Sequence, residues 1–309
     1  MEEYYSNGKL LLTGEYFVLD GAKALAVPTT CGQNLTVESI QEPQLIWNSF
    51  TNTGECWLEI IFDLPKFRLV SATFETNNDG GKDVIAEKLK EILLEVKKLN
   101  PSFLNSGEGA LVKTKLTFPK NWGLGTSSTL INNLANWAKL NPYELLENTF
   151  GGSGYDIACA HYNTPILYTR NGIKPIVEKV NFNPLFKDQL YFVYLNKKQN
   201  SREGIQRFKT LKGNLTSELI QISELTDAFI KCDNLNNFEK LMVEHEQIVS
   251  KTIQLKTVQE LLFADYFCQT KSLGAWGGDF ILATGNEDTP DYFKQKGFET
   301  VIPYQDLIL

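Results

Sequence analysis

Histidine is scarce in this chain, and its cysteines follow no pairing pattern. Two histidines, His161 and His245, occur in 309 residues, and the five cysteines (Cys31, Cys56, Cys159, Cys232, Cys268) are odd in number with no Cys-x-x-Cys spacing. Neither a zinc site nor a disulfide frame is expected. No apolar run approaches the roughly 18 residues of a membrane span, and the opening Met1-Glu2-Glu3-Tyr4 is acidic where a signal peptide is basic. A cytoplasmic chain without a membrane partner is the expectation. There is no Lys/Arg-rich run and the formal net charge is −7, so nucleic acid is not expected as a partner, and any anionic ligand needs cations gathered locally. A Walker-type Gly-x-x-x-x-Gly-Lys-Ser/Thr segment is also missing, so a nucleotide site must be of another design.

What is present is an ordinary globular composition, 42% hydrophobic and 22% charged. The length exceeds what one hydrophobic core usually supports, which predicts two domains with a cleft between them. Gly8 to Val18 reads as a strand pair, and residues 33–40, 57–63 and 110–118 as further β-rich stretches. Ile85, Leu89, Ile92, Leu93 and Val96 fall at helical spacing over 82–99, after an Asn78-Asp79-Gly80-Gly81 turn and before Pro101. A second helix is predicted from Thr126 or Ser127 to about Lys139, stopped by Asn141-Pro142, with a shorter helix to Asn148. Residues 189–195 read as a buried strand, and 202–211, 214–231, 235–253 and 256–269 as helices, before Gly274 to Gly278 opens a last hairpin. The nearest thing to a domain boundary is Asn181-Phe182-Asn183-Pro184.

Three segments carry chemistry. Pro119-Lys120-Asn121-Trp122-Gly123-Leu124-Gly125-Thr126-Ser127-Ser128 joins a strand to a helix. Its glycines let backbone amides approach an anion, and the three hydroxyls can cap the helix, donate to phosphate oxygens or ligate magnesium. The plainer reading is a glycine turn with an N-cap. Gly151-Gly152-Ser153-Gly154-Tyr155-Asp156-Ile157-Ala158-Cys159-Ala160 runs into a helix start, where Asp156 either caps the helix or faces a ligand. Lys9 lies on an otherwise apolar strand, either snorkelling to solvent or serving a site.

In this order, the three regions around Gly8-Lys9…Gly14-Glu15-Tyr16, Pro119 to Ser128, and Lys271-Ser272-Leu273-Gly274-Ala275-Trp276-Gly277-Gly278-Asp279 resemble the signature regions of the GHMP kinase superfamily. The likeness runs from about residue 6 to 285. It implies an α+β fold of two domains: an N-terminal ATP-binding domain with a left-handed βαβ unit (1–185) and a C-terminal ferredoxin-like domain (186–309). It also implies ATP and Mg2+ as cofactors. Residue by residue, it implies nucleotide binding at Gly123, Leu124, Gly125, Thr126, Ser127 and Ser128, magnesium at Ser127 with Glu15 at an acidic position, and catalysis by Lys9 and Asp156. Two departures stand out. Only 29 positions separate Ser127 from Asp156, too few for the insert that carries a second acidic magnesium ligand in mevalonate kinases, and Trp276 replaces a glycine. The indole either narrows the pocket, stacks on a ligand or packs into the hinge.

Gly152 to Ala158, followed by Ile166-Leu167-Tyr168, is most similar to the phosphomevalonate kinase branch, and Gly277-Gly278-Asp279 fits it too. That likeness implies substrate contacts at Ser153, Gly154, Tyr155, Gly274, Ala275, Gly277 and Gly278, and it draws in Lys197, Lys198, Ser201 and Arg202, which could hold an acceptor phosphate or be solvated surface. Phosphoryl transfer in isoprenoid precursor synthesis, to a small anionic metabolite, is the expected function. Mevalonate kinase and diphosphomevalonate decarboxylase are the enzyme alternatives, and a non-catalytic nucleotide- or metabolite-binding protein is the alternative of another class.

Overall fold

A computed structural model describes residues 1–74, 82–211 and 213–309, with the backbone alone at Lys82 and Asp83. The Asn78-Asp79-Gly80-Gly81 turn lies outside the described residues. The first half of the chain holds β1 (Glu2–Leu11), β2 (Ala24–Ile40), β3 (Gln44–Phe50), β4 (Cys56–Asp63), β5 (Arg68–Phe74), α1 (Lys82–Leu99), β6 (Gly109–Leu116), α2 (Thr126–Ala138), α3 (Pro142–Glu147) and α4 (Tyr155–His161). The second half holds β7 (Ile166–Thr169), β8 (Ile176–Lys179), β9 (Leu190–Tyr194), α5 (Ser201–Leu211), α6 (Thr216–Lys231), α7 (Leu235–Ile253), α8 (Val258–Leu262), β10 (Thr270–Ser272), β11 (Phe280–Thr284), α9 (Thr289–Gln295), β12 (Val301–Pro303) and α10 (Tyr304–Leu307). The chain is α+β.

It forms two compact units interleaved in sequence. The first comprises residues 1–8, 31–120 and 125–161; the second comprises 9–30, 121–124 and 162–309. In the first unit the strands run β5-β4-β3-β6-β2, antiparallel except for the β3–β6 pair, which is parallel. Its core draws Leu35, Leu45, Trp47, Ile60 and Phe62 from the sheet, Leu89, Leu93 and Val96 from α1, and Ile131, Leu134 and Ala135 from α2. These are the residues whose spacing marks the helices as amphipathic.

In the second unit Ala24–Ala26 of β2 pairs with β7, and β7 with β8. A separate antiparallel sheet has the order β10-β11-β9-β12. Phe208 of α5, Ile222 and Leu225 of α6 and Val249 and Ile253 of α7 pack with Tyr16, Phe17 and Trp276.

Two expectations are corrected. Gly8 to Val18 is not a strand pair: β1 ends at Leu11, Gly14 and Tyr16 turn into the left-handed region (φ 87° and 63°), and Phe17–Asp20 closes a single 3-10 turn. Gly14 passes so close to Ala24 that a Cβ on it would stand 2.7 Å from the alanine methyl, so glycine is required there on both counts. The helix predicted over 256–269 is confined to Val258–Leu262, opened by a capping box between Thr257 and Glu260. Phe263 and Tyr266 leave the helical path to enter the core beside Val193 and Ile281. Gln259 satisfies the freed backbone by donating to the Phe263 and Cys268 carbonyls and accepting from Thr270.

Candidate active site

The loop ahead of α2 owes its shape to two glycines, with φ 70° at Gly123 and 97° at Gly125. Gly125 is the N-cap of α2 and supplies no side-chain cap. The Ser128 hydroxyl behind it donates back to the Gly125 carbonyl at 2.9 Å, and the Thr129 hydroxyl lies 3.0 Å from the same oxygen. The first-turn amides of a 13-residue helix are thus left without a side-chain partner from the N-cap, which is the arrangement that receives an anion. Of the three predicted hydroxyls, Ser128 is buried, Thr126 half-buried and Ser127 exposed.

A buried polar lattice fixes the rotation of α2. Thr129 Oγ1 donates to Gln33 Oε1 (2.8 Å), Asn133 Nδ2 to the Gln33 carbonyl (2.9 Å), Ser6 Oγ to Asn133 Oδ1 (2.7 Å), and Asn132 Nδ2 to Ser6 Oγ (2.9 Å). Bonds of this kind hold only in one register, since a slip would leave buried amides unpaired. Sequence reasoning missed this lattice, although two adjacent asparagines in an apolar helix were a visible signal. In the same unit α4 packs on α2. Asp156 is the second residue of α4, half-buried in its first turn, and Ser153, Gly154 and Tyr155 ahead of it are buried.

The second unit gathers the remaining predicted residues. Lys9 is half-buried, and its backbone N–H donates to the Leu124 carbonyl at 3.0 Å, hooking β1 onto the glycine loop. Trp122 packs against Tyr194 and edge-on against Phe280, while the Tyr194 hydroxyl donates to the Asn121 carbonyl at 3.0 Å. Gly274 and Gly277 have φ 64° and 98°, and a Cβ on Gly278 would stand 2.5 Å from the Lys197 carbonyl. Asp279 completes that contact by donating its N–H to the same carbonyl at 2.7 Å. The loops at 121–124, 197–199 and 274–279 are thereby knitted to one another and to Lys9. Lys197, Lys198, Ser201 and Arg202 are exposed, Ala275 is half-buried, and Trp276 is buried among Tyr16, Phe208 and their neighbours. The indole therefore serves the core of this unit.

Glu15 sits in a fully buried cluster. Its Oε1 accepts from the Lys271 ammonium, and its Oε2 lies 3.1 Å from His245 Nε2. That nitrogen accepts the Gly14 N–H at 3.0 Å, so it carries no proton to donate to the facing carboxylate oxygen. Glu246 accepts the Ser272 N–H at 3.1 Å. Burial pushes Glu15 up to about 7 and Glu246 up to about 8, against the opposing Lys271 charge. Burial, reinforced by Lys271, holds His245 well below its ordinary value. His245 and Glu246 fall on the face of α7 that also buries Met242 and Val249, so their helical phase placed them in the core.

The cluster makes stability pH-dependent with a definite sign. The folded chain keeps carboxyl protons that the unfolded chain releases near pH ~4.5, so this contribution is complete below that pH and is lost as pH rises through the folded values. Above pH ~6.5 His245 is neutral in both states and drops out. Tm is expected to fall between about pH 6.5 and 8.5, and Glu246→Gln to flatten that slope, as differential scanning calorimetry would register. An equally steep slope in the variant would remove Glu246 as its source.

No family model matches the sequence, and no curated protein matches it. Solved structures do match, over nearly the whole chain. A mevalonate kinase aligns with TM-score 0.66 at 18% identity, covering 97% of this chain and 97% of its own. The Streptococcus pneumoniae phosphomevalonate kinase in complex with phosphomevalonate and AMPPNP aligns with TM-score 0.61 at 16% identity, covering 96% of each. The Lactococcus lactis galactokinase complexed with galactose aligns with TM-score 0.63 at 15% identity, covering 96% of this chain and 88% of its own. The chain has the GHMP kinase fold. Three of the close approaches to a glycine, at Gly14, Gly123 and Gly278, fall in the segments whose sequence resembles the GHMP signatures. Among the described residues no group of three or more His, Cys, Asp or Glu side chains is placed to hold a metal ion. A magnesium ion in such a site would depend on a nucleotide's phosphates for most of its ligands. No helix of the described residues is long and apolar enough to cross a membrane.

Proposed function

We propose that this chain is an ATP- and magnesium-dependent phosphotransferase whose acceptor is a small phosphate ester, phosphomevalonate in the first instance. The observation that carries the reading is the amino end of α2, its amides left without a side-chain cap behind two left-handed glycines. Three of those amides, with the helix dipole, suit the phosphates of a nucleotide. Magnesium bound with the nucleotide would offset phosphate charge, and the exposed Ser127 hydroxyl would be its ligand from this chain. Lys9, fixed through its backbone to Leu124, brings a cation to the transferring phosphoryl group. Asp156, half-buried at the start of α4, orients the acceptor oxygen.

The acceptor follows from charge. In a protein of net charge −7, Lys197, Lys198 and Arg202 form an exposed cationic stretch adjoining the loop that ends at Asp279. Such a stretch suits an acceptor carrying a phosphate. A phosphate monoester, with a second pKa near ~6, is largely dianionic at neutral pH and needs no strong base to react. The structural match to a kinase bound to phosphomevalonate supports the same choice.

A coupled ADP-release assay tests the reading, with phosphomevalonate and mevalonate compared under identical magnesium and salt. A higher kcat/KM for phosphomevalonate is expected. Arg202→Ala should raise the KM for phosphomevalonate about tenfold and leave ATP binding unchanged. A clear preference for mevalonate would refute the acceptor and favour a mevalonate kinase, and ADP release with neither would refute both.

A further inference from the structure

We propose that Asp279 is a positioning residue that holds the glycine loop at Gly123 and aims the Lys9 side chain. The inference rests on the kinase reading above and extends it to a residue in none of the roles assigned so far.

The geometry is specific. A Cβ built on Gly123 would lie 2.2 Å from Asp279 Cγ and 2.4 Å from each of its carboxylate oxygens. The carboxylate therefore occupies the space that a side chain at Gly123 would need, lying flat against the loop backbone. Gly123 is confined to glycine twice over, by its φ of 70° and by Asp279. Asp279 itself is held in the left-handed region at φ 53°, a conformation that a non-glycine residue keeps only when its surroundings over-determine it. Here they do. The Asp279 N–H donates to the Lys197 carbonyl at 2.7 Å, its carbonyl accepts the Leu195 N–H at 2.8 Å, and its Oδ1 accepts the Gln199 N–H at 3.0 Å.

Electrostatics says what the carboxylate is for. A negative group against a loop built for phosphate weakens anion binding unless it answers to a cation. Burial pushes the Asp279 carboxyl up, and the charge of Lys9 opposes burial most strongly, with the Gln199 amide and Lys198 adding to it. Lys9 is also tied by its own backbone to Leu124, one residue beyond Gly123. Asp279 thus touches the loop sterically at Gly123 and acts on Lys9 by charge. An alanine at 279 would lose both effects, whereas an asparagine keeps the shape and loses the charge.

The two roles separate experimentally in the full-length protein. Calorimetric titration with MgADP reads the loop, and steady-state turnover with ATP and phosphomevalonate reads Lys9. Asp279→Asn should leave the ADP Kd within about twofold of wild type, lower kcat about tenfold and leave the acceptor KM unchanged. Asp279→Ala should weaken ADP binding about tenfold and lower kcat as well. A residue that only supports the fold would lower Tm in both variants and leave Kd and kcat of the folded protein unchanged. That result overturns the proposal. A thermal-stability cycle needs no activity: Gly123→Ala should lower Tm, and adding Asp279→Ala should restore part of the loss by removing the clash. A double variant no more stable than the two losses combined predict would overturn the steric half. Failure of wild type to bind ADP or to turn over would instead overturn the kinase reading, with the stability cycle still deciding whether Asp279 packs on Gly123.

Discussion

Gly125→Val is expected to abolish ATP binding. The residue sits at φ 97° as the N-cap of α2, a region that excludes β-branched side chains, so valine would pull the turn toward negative φ and rotate the amides that follow. Titration calorimetry should show a loss of at least about a hundredfold in affinity, the scale expected when several charge-assisted amide contacts go together. Circular dichroism would confirm that the variant is folded. Gly125→Ala, which strains the same turn less, should weaken binding by a smaller factor. Wild-type affinity in folded Gly125→Val would place the nucleotide elsewhere.

The second large effect concerns Lys9 and Asp156. Each changed singly to alanine should lower kcat by about a hundredfold or more, since charge stabilisation confined to the transition state is typically worth several kcal/mol. Both side chains are half-buried and neither belongs to an apolar core, so Tm should move little. The double variant should lose little more than either single one if the two act on the same phosphoryl group, because residues that work as a unit are not additive. Near-normal turnover in Asp156→Ala would return that residue to a purely local role at the start of α4.

The same residues show why some of this was legible in the sequence. α1 was read to its observed limits because five apolar residues repeat on one face and a proline follows the end. The break between α2 and α3 was legible through Asn141-Pro142, and Asn141 indeed caps Tyr143. Glycine loops announce themselves because their torsions admit little else. β5 was missed because it is largely exposed and carries no alternation of burial. The Glu15, His245, Glu246 and Lys271 cluster was missed for a different reason: its members lie up to 256 positions apart, and a buried polar group has no periodicity of its own. Asp279 could be quoted as the end of a motif, but its contact with Gly123 exists only in three dimensions.

The interleaving of the two units governs how this chain can be made and cut. Residues 9–30 and 121–124 belong to the unit otherwise formed by 162–309. A fragment beginning at Tyr162 would lack Tyr16 and Phe17 from one of its clusters, and also Glu15, leaving Lys271 buried with a partner missing. During synthesis, the segments from the first half must wait, unpaired with their final neighbours, until the last strands have left the ribosome. A recombinant truncation at the midpoint is therefore a poor vehicle for studying either half. Chain breaks placed in exposed loops, with both pieces kept together, are the manipulation this connectivity permits.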